Sequence, residues 1–163
     1  MKEQTLSAER ARALLRYNRK TGLLTWKVNK GRVKAGDVAG YRDPSGYIRL
    51  RIDQGSYWAH RVIWLMVTGS WPAGVIDHRN TDGSDNRWRN LRDVTQGVNQ
   101  ENQRTAHRNS TTGVLGVYRD ARGFVASITI SRQSRTLGVY NDVGSARRAY
   151  VRAKRRLHAG CTI

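Results

Sequence analysis

Apolar and polar positions fall into three runs along the chain, each predicting its own elements. In the first, Leu6, Ala11, Leu14 and Leu15 share one face of a helix expected over residues 7–17, with Ser7 as its N-cap. Gly22 ends that pattern, residues 23–28 predict a strand, and the basic stretch 30–34 predicts a loop. Residues 47–52 alternate: Ile48, Leu50 and Ile52 point one way, and Tyr47, Arg49 and Arg51 the other. That polar face is either solvated or laid along a phosphate backbone.

The second run begins near Tyr57. Residues 59–67 predict a buried helix stopped by Gly69 and Pro72. A short strand ending in Asp77-His78 follows, then a polar loop from Arg79 to about Arg89. A second strand is expected over 91–94, and a helix capped by Thr95 runs to about Gln103. Residues 103–112 are polar and aperiodic, as a linker is. The third run predicts strands near 116–119, 124–130 and 135–139. Asp142 then caps a helix with Ala146, Ala149, Tyr150, Ala153 and Leu157 on one face. Along the middle strand, Phe124, Ala126, Ile128 and Ile130 are expected to face the helix, with Val125, Ser127 and Thr129 outward. The fold class is α+β.

Charge narrows the partners. Among 163 residues, 30 Lys and Arg oppose 12 Asp and Glu, a formal net charge of +18. Such a field attracts polyanions, and the preponderance of Arg suits bidentate phosphate or guanine contacts. Nucleic acid is the expected partner; a membrane surface is the weaker reading. The longest apolar run, residues 62–67, is too short to span a bilayer, and no signal-peptide core opens the chain. An intracellular location is expected. The single cysteine, Cys161, excludes an intramolecular disulfide and a Cys-rich zinc site.

The stretch VIDHRNTDGSDNRWRNLR (residues 75–92) carries the candidate chemistry. Asp77 and His78 are neighbours at a strand end, so their side chains are expected on opposite faces. Asn90, 12 residues after His78, is placed to brace the loop or the imidazole. Asn99 follows one turn into the next helix, placed to bring an amide oxygen beside Asp77. His60 and Arg61 open the preceding helix, with a structural, a phosphate-contacting or a catalytic role.

AHRVIW (59–64), WPAGVIDHRNTDGSDNRWRNLRDVT (71–95) and VNQEN (98–102) together resemble the HNH endonuclease family of the phage and intron-homing type, over roughly residues 7–104. The resemblance implies a ββα-metal (His-Me finger) nuclease domain over 1–104, with its core at about 74–104. It implies that His78 is the general base, that Asn90 orients the histidine and loop, and that Asp77 and Asn99 bind one divalent cation. Mg²⁺ or Mn²⁺ is expected, without zinc or an organic cofactor. Residues 113–160 resemble the plant APETALA/ethylene-response-factor DNA-binding domain, through Gly116-Val117, Leu137-Gly138 with Tyr140, and the Ala-rich helix from Asp142. That resemblance implies a three-stranded antiparallel sheet on one helix, reached through a linker at 105–112. It places Tyr118, Ser127, Thr129 and Thr136 toward the DNA groove, with Arg119, Arg122, Arg132 and Arg135 nearby as phosphate contacts. Arg49, Arg51 and Arg61 are further candidate DNA contacts. Helix residues Arg147, Arg148, Arg152, Lys154, Arg155 and Arg156 form either a solvated face or a second contact. The expected function is a metal-dependent homing-type DNA endonuclease acting on double-stranded DNA, monomeric in solution and, for a phage-encoded protein, located in the host cytoplasm. The alternatives are a non-catalytic DNA-binding regulator and a structure-specific phage DNA-processing nuclease.

Overall fold

The computed structural model describes residues 6–162; the first five residues of the expected nuclease segment lie outside them. The chain forms two compact units, one ending at Val94 and the other beginning at Thr95.

The first unit opens with α1 (Ala8–Leu14), whose N-terminus is capped by the Ser7 side chain accepting from the Arg10 amide at 3.1 Å. The helix is a turn shorter than the apolar pattern suggests. Leu15 leaves helical geometry and starts β1 (Leu15–Tyr17), which pairs antiparallel with β2 (Leu24–Trp26). A local cause of the break is the turn between them: Asn18 Oδ1 accepts from the Lys20 and Thr21 amides at 2.9 and 3.2 Å. A hairpin pulls its first strand out of the helix. Next comes a three-stranded sheet of β3 (Tyr41–Arg42), β4 (Ile48–Ile52) and β5 (Gly55–Trp58), in which β4 is central. Leu50 and Ile52 are buried on one face of β4, as their alternation requires. Helix α2 (Ala59–Thr68) follows directly and buries Val62, Ile63 and Leu65 in the common core with Leu14, Leu15 and Leu24. The unit ends with the ribbon β6 (Val75–His78) and β7 (Leu91–Val94), whose Ile76 and Leu91 join that core.

The second unit begins with α3 (Gln96–Glu101), capped by the Thr95 hydroxyl. Glu101 accepts from the Gly160 amide at 2.9 Å, and Arg104 donates to the Thr162 carbonyl at 3.0 Å. These bonds tie the helix and the following segment to the C-terminal tail, so compactness divides the chain at Val94/Thr95, ahead of the expected linker. A three-stranded antiparallel sheet follows, made of β8 (Val117–Asp120), β9 (Gly123–Ile130) and β10 (Gln133–Tyr140), with β9 central. Helix α4 (Val143–Leu157) is capped by Asp142, which accepts from the Ser145 amide at 2.8 Å. Its Ala146, Tyr150 and Ala153 pack on Val117, Ala126 and Ile128.

Two expectations are corrected within this unit. Val125, expected outward with Ser127, is 0% exposed. It sits mid-sheet opposite both Tyr118 and Val139, so a short side chain is walled in by its cross-strand neighbours. Lys154, grouped with the basic helix face, is 1% exposed, and its ammonium donates to the Gln103 carbonyl. Burial lowers its pKa, with Arg104 acting in the same direction.

The β9–β10 turn places Ser131 and Arg132 at φ 49° and 67°, where non-glycine residues are strained. Replacing Ser131-Arg132 by Asn-Gly is expected to stabilise the protein by about 1 kcal/mol in denaturant titrations. An unchanged or lowered midpoint contradicts this turn geometry.

Candidate active site

The site is built on the β6–β7 ribbon. Its register pairs Asp77 with Arg92 and His78 with Leu91. Ile76 and Leu91 anchor the ribbon in the core, which brings the polar Asp77 and His78 under cover. A buried carboxylate needs a partner. Arg92 supplies it across the ladder, placing Nε 2.7 Å and a terminal guanidinium nitrogen 2.6 Å from Asp77 Oδ2. The pairing fixes the orientation of the carboxylate.

The connecting loop is held by side-chain amides and carboxylates because it contains almost no apolar residue. Asn90, buried at the end of a 3-10 turn (Trp88–Asn90), donates to Asn80 Oδ1 at 2.9 Å and to the Asp85 carbonyl at 2.7 Å. Its own oxygen accepts from the Asn80 amide at 3.0 Å. Of the two expected roles, these bonds give Asn90 that of the loop brace. Asp82 accepts from the Ser84 amide at 2.9 Å, and Asp85 from Arg87 Nε at 2.7 Å. The Ser84 hydroxyl holds the Asp82 pKa down, and Arg87 does the same for Asp85.

The His78 ring is held elsewhere. Nε2 lies 3.0 Å from the side-chain oxygen of Asn86, and both residues are buried. Tyr47 and His60 pack on the same ring, with centroids at 5.6 and 5.2 Å, the His60 ring perpendicular to it. Trp58 stacks on His60 at 6.2 Å. The ring of Tyr47 also reaches Gly83, where a Cβ would stand 2.7 Å from it, so this loop position has no room for a side chain. Burial lowers the His78 pKa, opposed by its Asn86 bond and by Asp77. The neutral ring, able to accept a proton, is thereby favoured. His60 is pushed down to about 3 by burial first, then by His78 and Arg61, and its buried Nδ1 has no hydrogen-bond partner among the described residues.

The sequence does not mark Asn86, Arg92 or Tyr47 as active-site residues. Asn86 is one of several polar loop residues with no periodicity to mark it. Tyr47 is distant along the chain and reads there as an outward strand residue. Arg92 had one legible sign: it lies opposite Asp77 once the hairpin is drawn in register.

The remaining candidates divide by unit. Arg49 lies over the Trp58 ring at 4.8 Å and donates to Ser56 Oγ at 3.0 Å, whereas Arg51 is exposed. Arg61 donates to the Gly74 carbonyl at 3.2 Å, next to Trp71, which gives it a structural attachment. Trp88 packs on Trp64 at 5.1 Å, so the one tryptophan of the polar loop anchors it to the core. In the second unit Asn99 sits half-buried in α3, its amide bonded to the Thr95 carbonyl at 3.0 Å. On the sheet, Tyr118, Thr129, Arg132, Arg135 and Thr136 are exposed, and Ser127 bonds Ser134 at 2.9 Å. Arg119 lies over Phe124 at 5.4 Å, and Arg122 is paired with Asp120 at 2.8 Å.

Among the described residues, no three His, Cys, Asp or Glu side chains gather as a metal cage. The Asp77 carboxylate is a hard oxygen donor, whose chemistry fits a hard cation that keeps water and substrate phosphate as further ligands.

His60 generates a pH prediction. It is neutral when folded, whereas in the unfolded chain it takes up a proton near pH 6.5. Its contribution to stability is complete above about pH 6.5 and is lost as pH falls toward about 3, by roughly 1.4 kcal/mol per pH unit. His60→Phe is expected to flatten the acid limb of stability against pH; an unchanged slope contradicts the burial of a neutral ring.

Residues 57–104 match the model of the HNH endonuclease family. The matched segment contains α2, the ribbon with its loop, and α3, and with them Asp77, His78, Asn86, Asn90 and Asn99. No curated protein matches the chain. A solved structure of the HNH homing endonuclease I-HmuI, described for its DNA binding and cleavage, is similar at 26% identity and a TM-score of 0.43. That similarity covers 55% of this chain and 51% of the other, so the chain spans about half the length of that structure.

Proposed function

We propose that the protein is a metal-dependent DNA endonuclease of the HNH type, with a homing role in a phage or other mobile element. The observation that carries the reading is the buried Asp77-His78 pair at the end of β6, inside the segment that matches the HNH family. His78 is the general base, Asn90 the brace of its loop, and Asp77 and Asn99 the residues that hold one divalent cation, Mg²⁺ or Mn²⁺. When bound, that cation supplies Lewis-acid stabilisation of charge on the scissile phosphate and on the leaving 3′ oxygen. The chain does the rest. His78, kept neutral by burial, removes a proton from the attacking water, and Arg92 keeps the Asp77 carboxylate aimed. Two protein oxygens bind Mg²⁺ weakly, so substrate phosphate completes the site and binding of cation and DNA is cooperative.

In this reading residues 1–104 cut and residues 113–160, an ethylene-response-factor-like module behind a 105–112 linker, position the enzyme. Supporting that division, residues from Arg108 onward hold 11 Lys and Arg against only Asp120 and Asp142. Such a surface contacts phosphates and falls in affinity with salt. Among the described residues no helix is long and apolar enough to cross a membrane.

The test is conversion of supercoiled plasmid at low salt with Mg²⁺, Mn²⁺ or EDTA. Metal-dependent nicking or linearisation by wild type, lost in His78→Ala with DNA affinity kept within a few-fold, is expected. Tight binding without cutting, on generic plasmid and on the source genome's DNA alike, overturns the nuclease reading in favour of a DNA-binding regulator. Preference for branched over linear duplex displaces the homing role.

A further inference from the structure

Residues 101–104, the last four of the segment that matches the family, each bond to the stretch 154–162. Glu101 accepts from the Gly160 amide at 2.9 Å, and Asn102 Oδ1 accepts from the Thr162 hydroxyl. The Gln103 carbonyl accepts from the Lys154 ammonium. Arg104 donates to the Thr162 carbonyl at 3.0 Å and to its hydroxyl at 2.7 Å. Asn102 and Lys154 are buried, so two of these bonds involve groups withdrawn from water. The tail after α4 is anchored in turn. His158 Nε2 lies 2.9 Å from the Thr129 carbonyl of β9, and the Cys161 amide donates to the His158 carbonyl at 3.1 Å.

Helix α3 needs such support. It has six residues, none of them buried, with Gly97 in its interior. A helix this short is marginal by itself in water, and an interior glycine weakens it further. Its N-terminus has the Thr95 cap, and its C-terminal end has the tail. The approach is close: a Cβ at Gly160 would stand 2.0 Å from the Val98 carbonyl oxygen and 2.9 Å from the Glu101 Cβ. Any side chain there drives the tail off the helix.

We propose that residues 158–162 form a clasp that keeps α3 helical and so presents Asn99, with Gly160 and Glu101 as positioning residues for the cation. The proposal rests on the reading of Asn99 as a cation ligand. Asn99 is fixed through the helix on both sides. Its amide donates to the Thr95 carbonyl at 3.0 Å, and its carbonyl accepts from the Asn102 amide at 3.1 Å. Asn102 and Glu101 are the residues the tail grips, so release of the tail frays the turn that ends at Asn102 and frees the Asn99 backbone. The segment after residue 104 thus serves the cation site as well as DNA binding.

The test combines amide hydrogen exchange of the full chain without metal and plasmid nicking as a function of Mg²⁺ concentration. Gly160→Ala and Glu101→Ala should speed exchange at residues 98–102 by about tenfold or more, with β9 within a few-fold of wild type. Both should raise the Mg²⁺ concentration for half-maximal nicking about 10- to 100-fold, with DNA affinity kept within a few-fold. Alanine is the better helix former, so a loss in Glu101→Ala reports the lost bond and not helix propensity. Glu101→Gln keeps an acceptor oxygen and should restore both readouts toward wild type. Unaltered exchange at residues 98–102 in the two alanine variants overturns the proposal. So does exchange that rises equally in β9 and α4, or a Mg²⁺ requirement that stays constant while α3 exchange rises. If Gly160→Ala does not fold, the two Glu101 variants decide. A wild type that does not nick removes the nuclease reading, while the exchange data still accept or reject the clasp.

Discussion

The site depends on how a polar loop satisfies its own backbone where the chain offers it almost no apolar anchor. A two-stranded ribbon such as β6–β7 is marginal by itself. Here Asn90 closes its open end, bonding to Asn80 from both its nitrogen and its oxygen and to the Asp85 carbonyl. A buried side-chain amide that makes three such bonds leaves little freedom for a substitute: Asp loses the donor, and an apolar residue strands its partners. With the loop closed, the strand end that carries Asp77 and His78 has one geometry.

Around that brace each ionisable group is given a fixed partner before any substrate arrives. Arg92 holds Asp77, Arg87 holds Asp85, and Asn86 holds His78. The aromatic rings of Tyr47, Trp58 and His60 form a cover that lowers the pKa of both histidines by burial. Preorganisation of this kind lets a base act without rearranging its surroundings during reaction. The unit from Thr95 onward works on a different scale. Its helix lays small alanines on a sheet, and arginines remain at the other surfaces, where they suit phosphates in general more than particular bases.

Much of this was legible in the chain. The strand–loop–strand order around Asp77 and His78, the caps at Ser7, Thr95 and Asp142, and the three strands before the last helix follow from periodicity and short polar residues at element starts. Other features were invisible because they depend on contacts distant in sequence. Leu15 continues a helical apolar pattern yet becomes a strand, since its partner Trp26 lies beyond a turn. Val125 keeps its place outside the helix-facing cluster yet is buried by cross-strand neighbours, and Lys154 is buried against the expectation for its helix face, held by the Gln103 carbonyl. Asn86 and Tyr47 meet His78 only after three separate elements have packed, so no local pattern marks them.

The most direct test of the central claim, that a loop-held imidazole activates water against a DNA phosphodiester, is cleavage in ¹⁸O-labelled water under single-turnover conditions. The account predicts one ¹⁸O on the 5′-phosphate of the product and an unlabelled 3′-hydroxyl, which places attack on phosphorus and departure of the 3′ oxygen. Label on a 3′-phosphate, or a product whose phosphate carries no label, contradicts it.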